Sequence, residues 1–217
     1  MSILNLLFPP KCVLCGKVLE HYEQDVCTGC NDNAPVCSPT KKKMPFLEGW
    51  CAVWYYQDDV RESILRYKFG NRRNYAQGYA RLLAQKLKEE FPEGFDILTW
   101  VPISPMRKLK RGFDQVEKLA KALAKPLGMQ PVCTLKKIRH NRPQSGIFEP
   151  AHRRANVLGV YKVIRPEQLW GKRVLLLDDV ITTGATAGEC ARMLLTAGAR
   201  EVYIGAVAAA RHDSKIK

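Results

Sequence analysis

Val174-Leu-Leu-Leu-Asp178-Asp179-Val-Ile-Thr182-Thr183-Gly184-Ala185-Thr186 is the stretch that decides the fold. Its four leading residues are apolar without alternation, which suits a strand buried on both faces. Two carboxylates follow, and then a small-residue turn that leads into a helical pattern. The amides at the start of such a helix have no internal acceptors, and they carry the positive end of the helix dipole. Thr182, Thr183 and Thr186 add hydroxyls, while Gly184 lets the backbone come close, so the turn makes a seat for a phosphate dianion. Asp178 and Asp179 beside it can accept hydrogen bonds from vicinal sugar hydroxyls. Each piece alone also fits an acidic surface turn; the thirteen-residue combination is far more specific.

Working outward, the helix after Gly184 turns Cys190, Met193, Leu194 and Ala197 inward, and residues 202–208 read as another buried strand. Upstream, residues 51–56 are aromatic and β-branched and predict a strand. Val60, Ile64, Leu65 and Lys68 suggest a short helix ending at Gly70. Tyr75, Tyr79, Leu82, Leu83, Leu87 and Phe91 keep helical spacing until Pro92 and Gly94. Residues 95–102 read as a buried strand, and the series from Phe113 to Leu127 as an amphipathic helix closed by Gly128. Residues 139–156 have no period and read as a long loop of the kind that often serves as a lid. Apolar strands alternating with helices predict an α/β fold with a parallel sheet covered on both faces. In such sheets ligands bind beyond the carboxyl ends of the strands, where the 174–186 turn falls.

Residues 9–50 differ in kind, being punctuated by Pro and Gly and too short to bury much without a staple. Cys12-x2-Cys15 and Cys27-x2-Cys30 supply one. Two tight knuckles can close four thiolates around a structural Zn²⁺ with no position left open. A redox pair is the alternative, but its usual βαβ context is missing. Of the remaining cysteines, Cys51 and Cys190 sit among apolar neighbours as small core residues. The expected division is a zinc module over residues 1–50 and an α/β domain over 51–217.

No apolar run approaches the ~18 residues of a membrane span. The apolar start is short and lacks a basic flank, so it is a poor signal peptide, and a cytoplasmic location is expected. The net charge is +14 over 217 residues. Residues 1–50 hold five lysines against five acids, which leaves thirty cations against sixteen acids in residues 51–217. A basic field of that kind attracts phosphates, nucleotides or nucleic acid, although it also serves plain solubility.

The 174–186 stretch resembles the loop that binds 5-phosphoribosyl-1-pyrophosphate (PRPP) in type I phosphoribosyltransferases. Further segments occur in the order of the ComF family, competence proteins with an amino-terminal zinc module. They are Leu7-Phe-Pro-Pro-Lys-Cys12, Val101-Pro102-Ile-Ser, the run from Arg107 through Arg111-Gly-Phe-Asp-Gln115, Pro143-Gln144 and Arg153-Arg-Ala-Asn156. The resemblance implies that residues 182–186 hold the 5′-phosphate and that Asp178 and Asp179 hold the ribose hydroxyls. Val180 and Ile181 would then line the space near the anomeric carbon. It also implies that Pro102, Ile103, Ser104 and Arg107 face the pyrophosphate with its Mg²⁺, and that Lys68 faces the same cleft. Arg107, Lys108, Lys110 and Arg111 are four cations within five residues, and Arg forks suit phosphate oxygens. Two positions depart from the family: Asp114 stands where Asn is usual, and Asn141 where Thr is common. An aspartate there loses a donor and adds charge, which argues against a direct pyrophosphate contact by that side chain.

Resemblance to that family implies a cytoplasmic role in DNA uptake during natural transformation, with single-stranded DNA and other uptake proteins as partners. Arg107 to Arg111, Lys136, Lys137, Arg139, Arg142, Arg153 and Arg154 are the cations that could follow a DNA backbone. Tyr67, Phe69 and Tyr75, near Arg72 and Arg73, are candidate stacking surfaces, with core packing the competing role. The alternative is an active phosphoribosyltransferase working on a small nitrogen acceptor, with residues 139–156 as its lid.

Overall fold

The apolar run at 174–177 is the middle of a parallel sheet in a computed structural model that describes residues 9–38, 43–139 and 157–211. Its strand, β5 (Arg173–Ile181), lies between β6 (Glu201–Ala209) and β2 (Ile97–Trp100), and β1 (Gly49–Tyr55) pairs with the far side of β6. All three pairings are parallel. Side chains alternate along β5: Leu175 and Leu177 enter one core, Val174 and Leu176 the other. The first core is filled by α3 (Tyr75–Glu90) and α5 (Gln115–Leu127) through Leu83, Leu87, Leu119 and Leu123. The second is filled by α6 (Ala185–Thr196) through Cys190, Ala191 and Leu194. A sheet covered on both faces is thus what the unalternating sequence predicts, and each buried aliphatic side chain stabilises it by roughly 1.5–3 kcal/mol.

β5 runs four residues past the expected end, so both acids lie within the strand. The cause is β6, whose Ala206, Ala208 and Ala209 stay in register with Asp178, Val180 and Ile181. β2 is shorter than expected. Val101 still donates to the Leu177 carbonyl (2.9 Å), but Pro102 has no N–H to carry the ladder further. Two features were not anticipated. Residues 105–111 form the short helix α4 (Pro105–Arg111), capped by Ser104. A two-stranded antiparallel ribbon, β3 (Leu135–Lys137) and β4 (Tyr161–Val163), brackets the segment expected to be a lid. Apart from Arg139, that segment lies outside the described residues.

The cysteine module contains the short helix α1 (Thr28–Asn33) and packs on α3 and on α2 (Asp58–Phe69). Ser63 donates to the Val13 carbonyl, Arg66 donates to the Leu14 carbonyl, and Arg81 forks onto Asp25. Gly78 permits the approach, since a β-carbon there would stand 2.7 Å from Val13 Cγ1. Gly184 is constrained twice over: its φ is +78°, and a β-carbon would meet Met44 Sδ at 2.5 Å. Among the described residues no helix is long and apolar enough to cross a membrane.

Candidate functional site

The carboxyl ends of β5 and β2 open into a cleft of about 650 Å³. One wall is the end of β5 and the turn into α6, which contributes Asp178, Asp179, Val180, Ile181, Thr182, Gly184, Ala185 and Thr186. Thr183 is absent from the lining; its hydroxyl accepts from the Ala185 amide (3.4 Å) and so shapes the turn. The opposite wall holds Pro102, Ile103, Arg107, Lys110 and Arg111. Ser104 is buried behind this wall, accepting from the Arg107 amide at 3.4 Å as the cap of α4. Lys108 also points elsewhere, pairing with Glu117 at 2.9 Å. Arg139 is exposed and not part of the lining, while Arg142, Arg153 and Arg154 lie outside the described residues.

The two acids are in different electrostatic states. Asp179 is buried and held by both oxygens: Lys68 Nζ is 2.9 Å from Oδ1, and Gln115 Nε2 donates to Oδ2 at 2.7 Å. Lys68 therefore does face the cleft, as the counter-ion of Asp179. Asp178 accepts only its neighbour's amide among the described contacts, at 2.8 Å. Burial, and next the charge of Asp179, push its carboxyl up to about 8. A donor-rich ligand would restore its charge, so Asp178 is the better placed of the two for sugar hydroxyls.

Sequence reasoning gave no role to two cleft residues, Gln115 and Tyr161, and named a third, Lys137, only as a cation that could follow a DNA backbone. Gln115 opens α5 and is braced by Tyr67, whose hydroxyl donates to the Gln115 carbonyl at 2.6 Å. Its side-chain Oε1 is buried without a partner, which a ligand or water donor would satisfy. Lys137 and Tyr161 face each other across the ribbon, with the ammonium 5.4 Å from the ring centroid. Lys137 is only 7% exposed; burial, and next the charge of Arg107, lower it to about 8. The alternation of buried Leu135, exposed Lys136 and buried Lys137 is the sequence signal that could have separated the two lysines.

Asp114 explains its own departure from the family pattern. Its Oδ1 accepts from the Val116 and Glu117 amides at 2.9 and 3.0 Å, capping α5, and its Oδ2 accepts from the Ile103 amide at 3.3 Å. The side chain braces the cleft from behind instead of entering it. Of the candidate stacking rings, Tyr67 and Tyr75 are core residues and only Phe69 is exposed.

In the amino-terminal module the ligand atoms of Cys12, Cys15, Cys27 and Cys30 all lie within 4.8 Å of one another. Burial, and then the neighbouring Cys15 and Cys27 sulfurs, push the Cys30 thiol well up. Four sulfurs so crowded resist ionising together unless a cation sits among them, and an all-thiolate set suits structural zinc.

The phosphoribosyl transferase domain matches residues 71–217, and the double zinc ribbon domain matches residues 3–51. Competence protein F of Haemophilus influenzae is 26% identical over 210 residues, covering 93% of this chain and 85% of its own. Competence protein ComFC of Streptococcus pneumoniae is 28% identical, covering 88% and 96%. The DNA utilization protein YhgH of Salmonella typhi is 30% identical over 173 residues, covering 77% and 75%. Among solved structures, an allosteric regulatory enzyme of purine biosynthesis aligns with a TM-score of 0.43 at 23% identity, over 66% of this chain and 30% of that one.

Proposed function

This chain belongs to the phosphoribosyl transferase domain family, in the ComF group with its amino-terminal double zinc ribbon, and from that premise we propose that it binds PRPP and acts in the cytoplasm in DNA uptake, contacting single-stranded DNA. One observation carries the reading: the turn at the start of α6, the acids Asp178 and Asp179 at the end of β5 and a wall of cations line one cleft. The 5′-phosphate sits on the amides and hydroxyls at Thr182, Gly184, Ala185 and Thr186, with Thr183 fixing the turn from behind. Asp178 takes the ribose hydroxyls, while Asp179 stays tied to Lys68 and Gln115. The pyrophosphate, which carries Mg²⁺ as part of the substrate, faces Arg107, Lys110, Arg111 and Lys137. Zinc, held by the four cysteines, supplies folding energy to a segment that lacks a core of its own. The zinc module over residues 1–50 and the transferase domain over 51–217 are the units of this reading. The names of the relatives, competence and DNA utilization proteins, support the uptake role.

A catalytic version is favoured by a further detail of the cleft. Lys137, Arg107 and Arg111 line the same cleft as Val180 and Ile181, and cations on that wall would stabilise the charge that develops on a departing pyrophosphate. Titrating Mg²⁺ and PRPP into zinc-loaded protein should give saturable binding heat, weakened about tenfold or more by Asp178→Asn. No heat in the wild type would end the PRPP reading. Pyrophosphate release with a panel of nucleobases then separates a transferase from a protein that only binds.

A further inference from the structure

Phe69 is the last residue of α2 and lines the mouth of the cleft, yet it is 64% exposed. The Arg111 guanidinium lies over one face of its ring, 4.9 Å from the centroid, which leaves the exposure to the other face and the edge. Met106, 66% exposed, also lines the mouth, with Arg107 and Lys110 beside it. Single exposed apolar residues are ordinary. Here, however, the rim interleaves exposed apolar surface with cations at a cavity already suited to phosphate. A small acceptor sitting inside the cleft gains little from a ring that faces solvent. A single strand offers bases and phosphates in alternation, and binding such strands combines stacking platforms with a basic track.

We infer that the Phe69–Arg111 pair is a base-stacking platform for single-stranded DNA at the mouth of the phosphoribosyl cleft. One base of the strand lies on the ring while its flanking phosphates meet Arg107 and Lys110. This inference rests on the DNA contact proposed above and names its residues. No covalent step is involved. A protein contact would use the same Phe, Met and Arg side chains, and the sedimentation arm of the test below separates it from a strand.

Fluorescence anisotropy on full-length, zinc-loaded protein tests the platform with two probes: a labelled oligothymidylate, and an abasic deoxyribose-phosphate strand of equal length. Phe69→Ala should weaken the oligothymidylate about tenfold and leave the abasic strand as in the wild type, with the same dependence on salt. Phe69→Trp should stay within about twofold of the wild type. Because the ring is exposed, thermal midpoints should barely move, and they certify the fold of both variants. Equal affinity of wild type and Phe69→Ala for both probes overturns the platform, as does an equal loss on both. Sedimentation in which Phe69→Ala dissolves a wild-type dimer also overturns it, in favour of a protein contact. If the wild type binds neither probe, the proposed DNA contact itself fails, a result distinct from the loss of the platform alone.

Discussion

Asp178 and Asp179 are adjacent in the chain, but only one of them has its charge balanced. Lys68 and Gln115 satisfy Asp179, whereas Asp178 carries a carboxyl raised to about 8, by burial first and the Asp179 charge second. A folded value above the unfolded one means that Asp178 is compatible with stability below the ordinary aspartate range. That stability is lost as pH climbs through about 8. Asp178→Asn should therefore stabilise the ligand-free protein by roughly 1–3 kcal/mol at pH 9, well under the full shift because the group is not wholly sealed from water. The gain should vanish near pH 4. Thermal scans of both proteins at the two pH values check this, and a variant less stable at pH 9 would refute the assignment. Asp114 makes the opposite kind of prediction. As a helix cap it should cost about 1–2 kcal/mol when changed to Ala. Asp114→Asn, the residue usual in the family, keeps a capping oxygen and should lose only the weaker Ile103 bond, which urea titration can resolve. The sequence made Asp114 doubtful as a pyrophosphate contact, but its bracing role needed the start of α5 and the position of Ile103 together.

At the scale of elements, α2 joins the two parts of the chain. Ser63 and Arg66 hold carbonyls of the first cysteine knuckle, and Tyr67 and Lys68 on the same helix hold Gln115 and Asp179 in the cleft. Loss of the metal should loosen the first pair and, through the helix, the second. We expect stripping zinc with a strong chelator to weaken PRPP binding about tenfold, with recovery on adding zinc back, and Ser63→Ala to move affinity the same way with zinc still bound. Unchanged PRPP affinity in metal-free protein would show that α2 does not couple the sites. The elements themselves were mostly legible, because apolar periodicity is local: α2, α3, α5 and α6 fall where their hydrophobic spacing puts them. The misses are non-local. The extension of β5 over both acids depends on the alanines of β6, more than twenty residues away in the chain. The ribbon that presents Lys137 depends on pairing across a long intervening segment, and no window of sequence contains both of its strands.

For the molecule as a whole, charge distribution separates a general basic field from a defined track. Every unit of the +14 lies in residues 51–217, so some attraction for nucleic acid would exist without any site. The cluster at 107–111 was visible in the sequence, yet its cations looked interchangeable until α4 fixed their directions. Lys110 faces the cleft mouth, whereas Lys108 turns back to Glu117, which also holds Lys121. A phosphate displaces a counter-ion at Lys110 but must compete with a carboxylate at Lys108. For a single strand, each phosphate neutralised contributes about 0.7 to the slope of log affinity against log salt. Lys110→Gln should therefore flatten the slope for single-stranded DNA by about 0.7, and Lys108→Gln, a change of identical charge two residues away on another face of the same helix, should leave it almost untouched. Salt titrations of the two variants beside the wild type make the comparison. Equal flattening by both would mean that the strand responds to net charge alone, and that the geometry of α4 plays no part in where it lies.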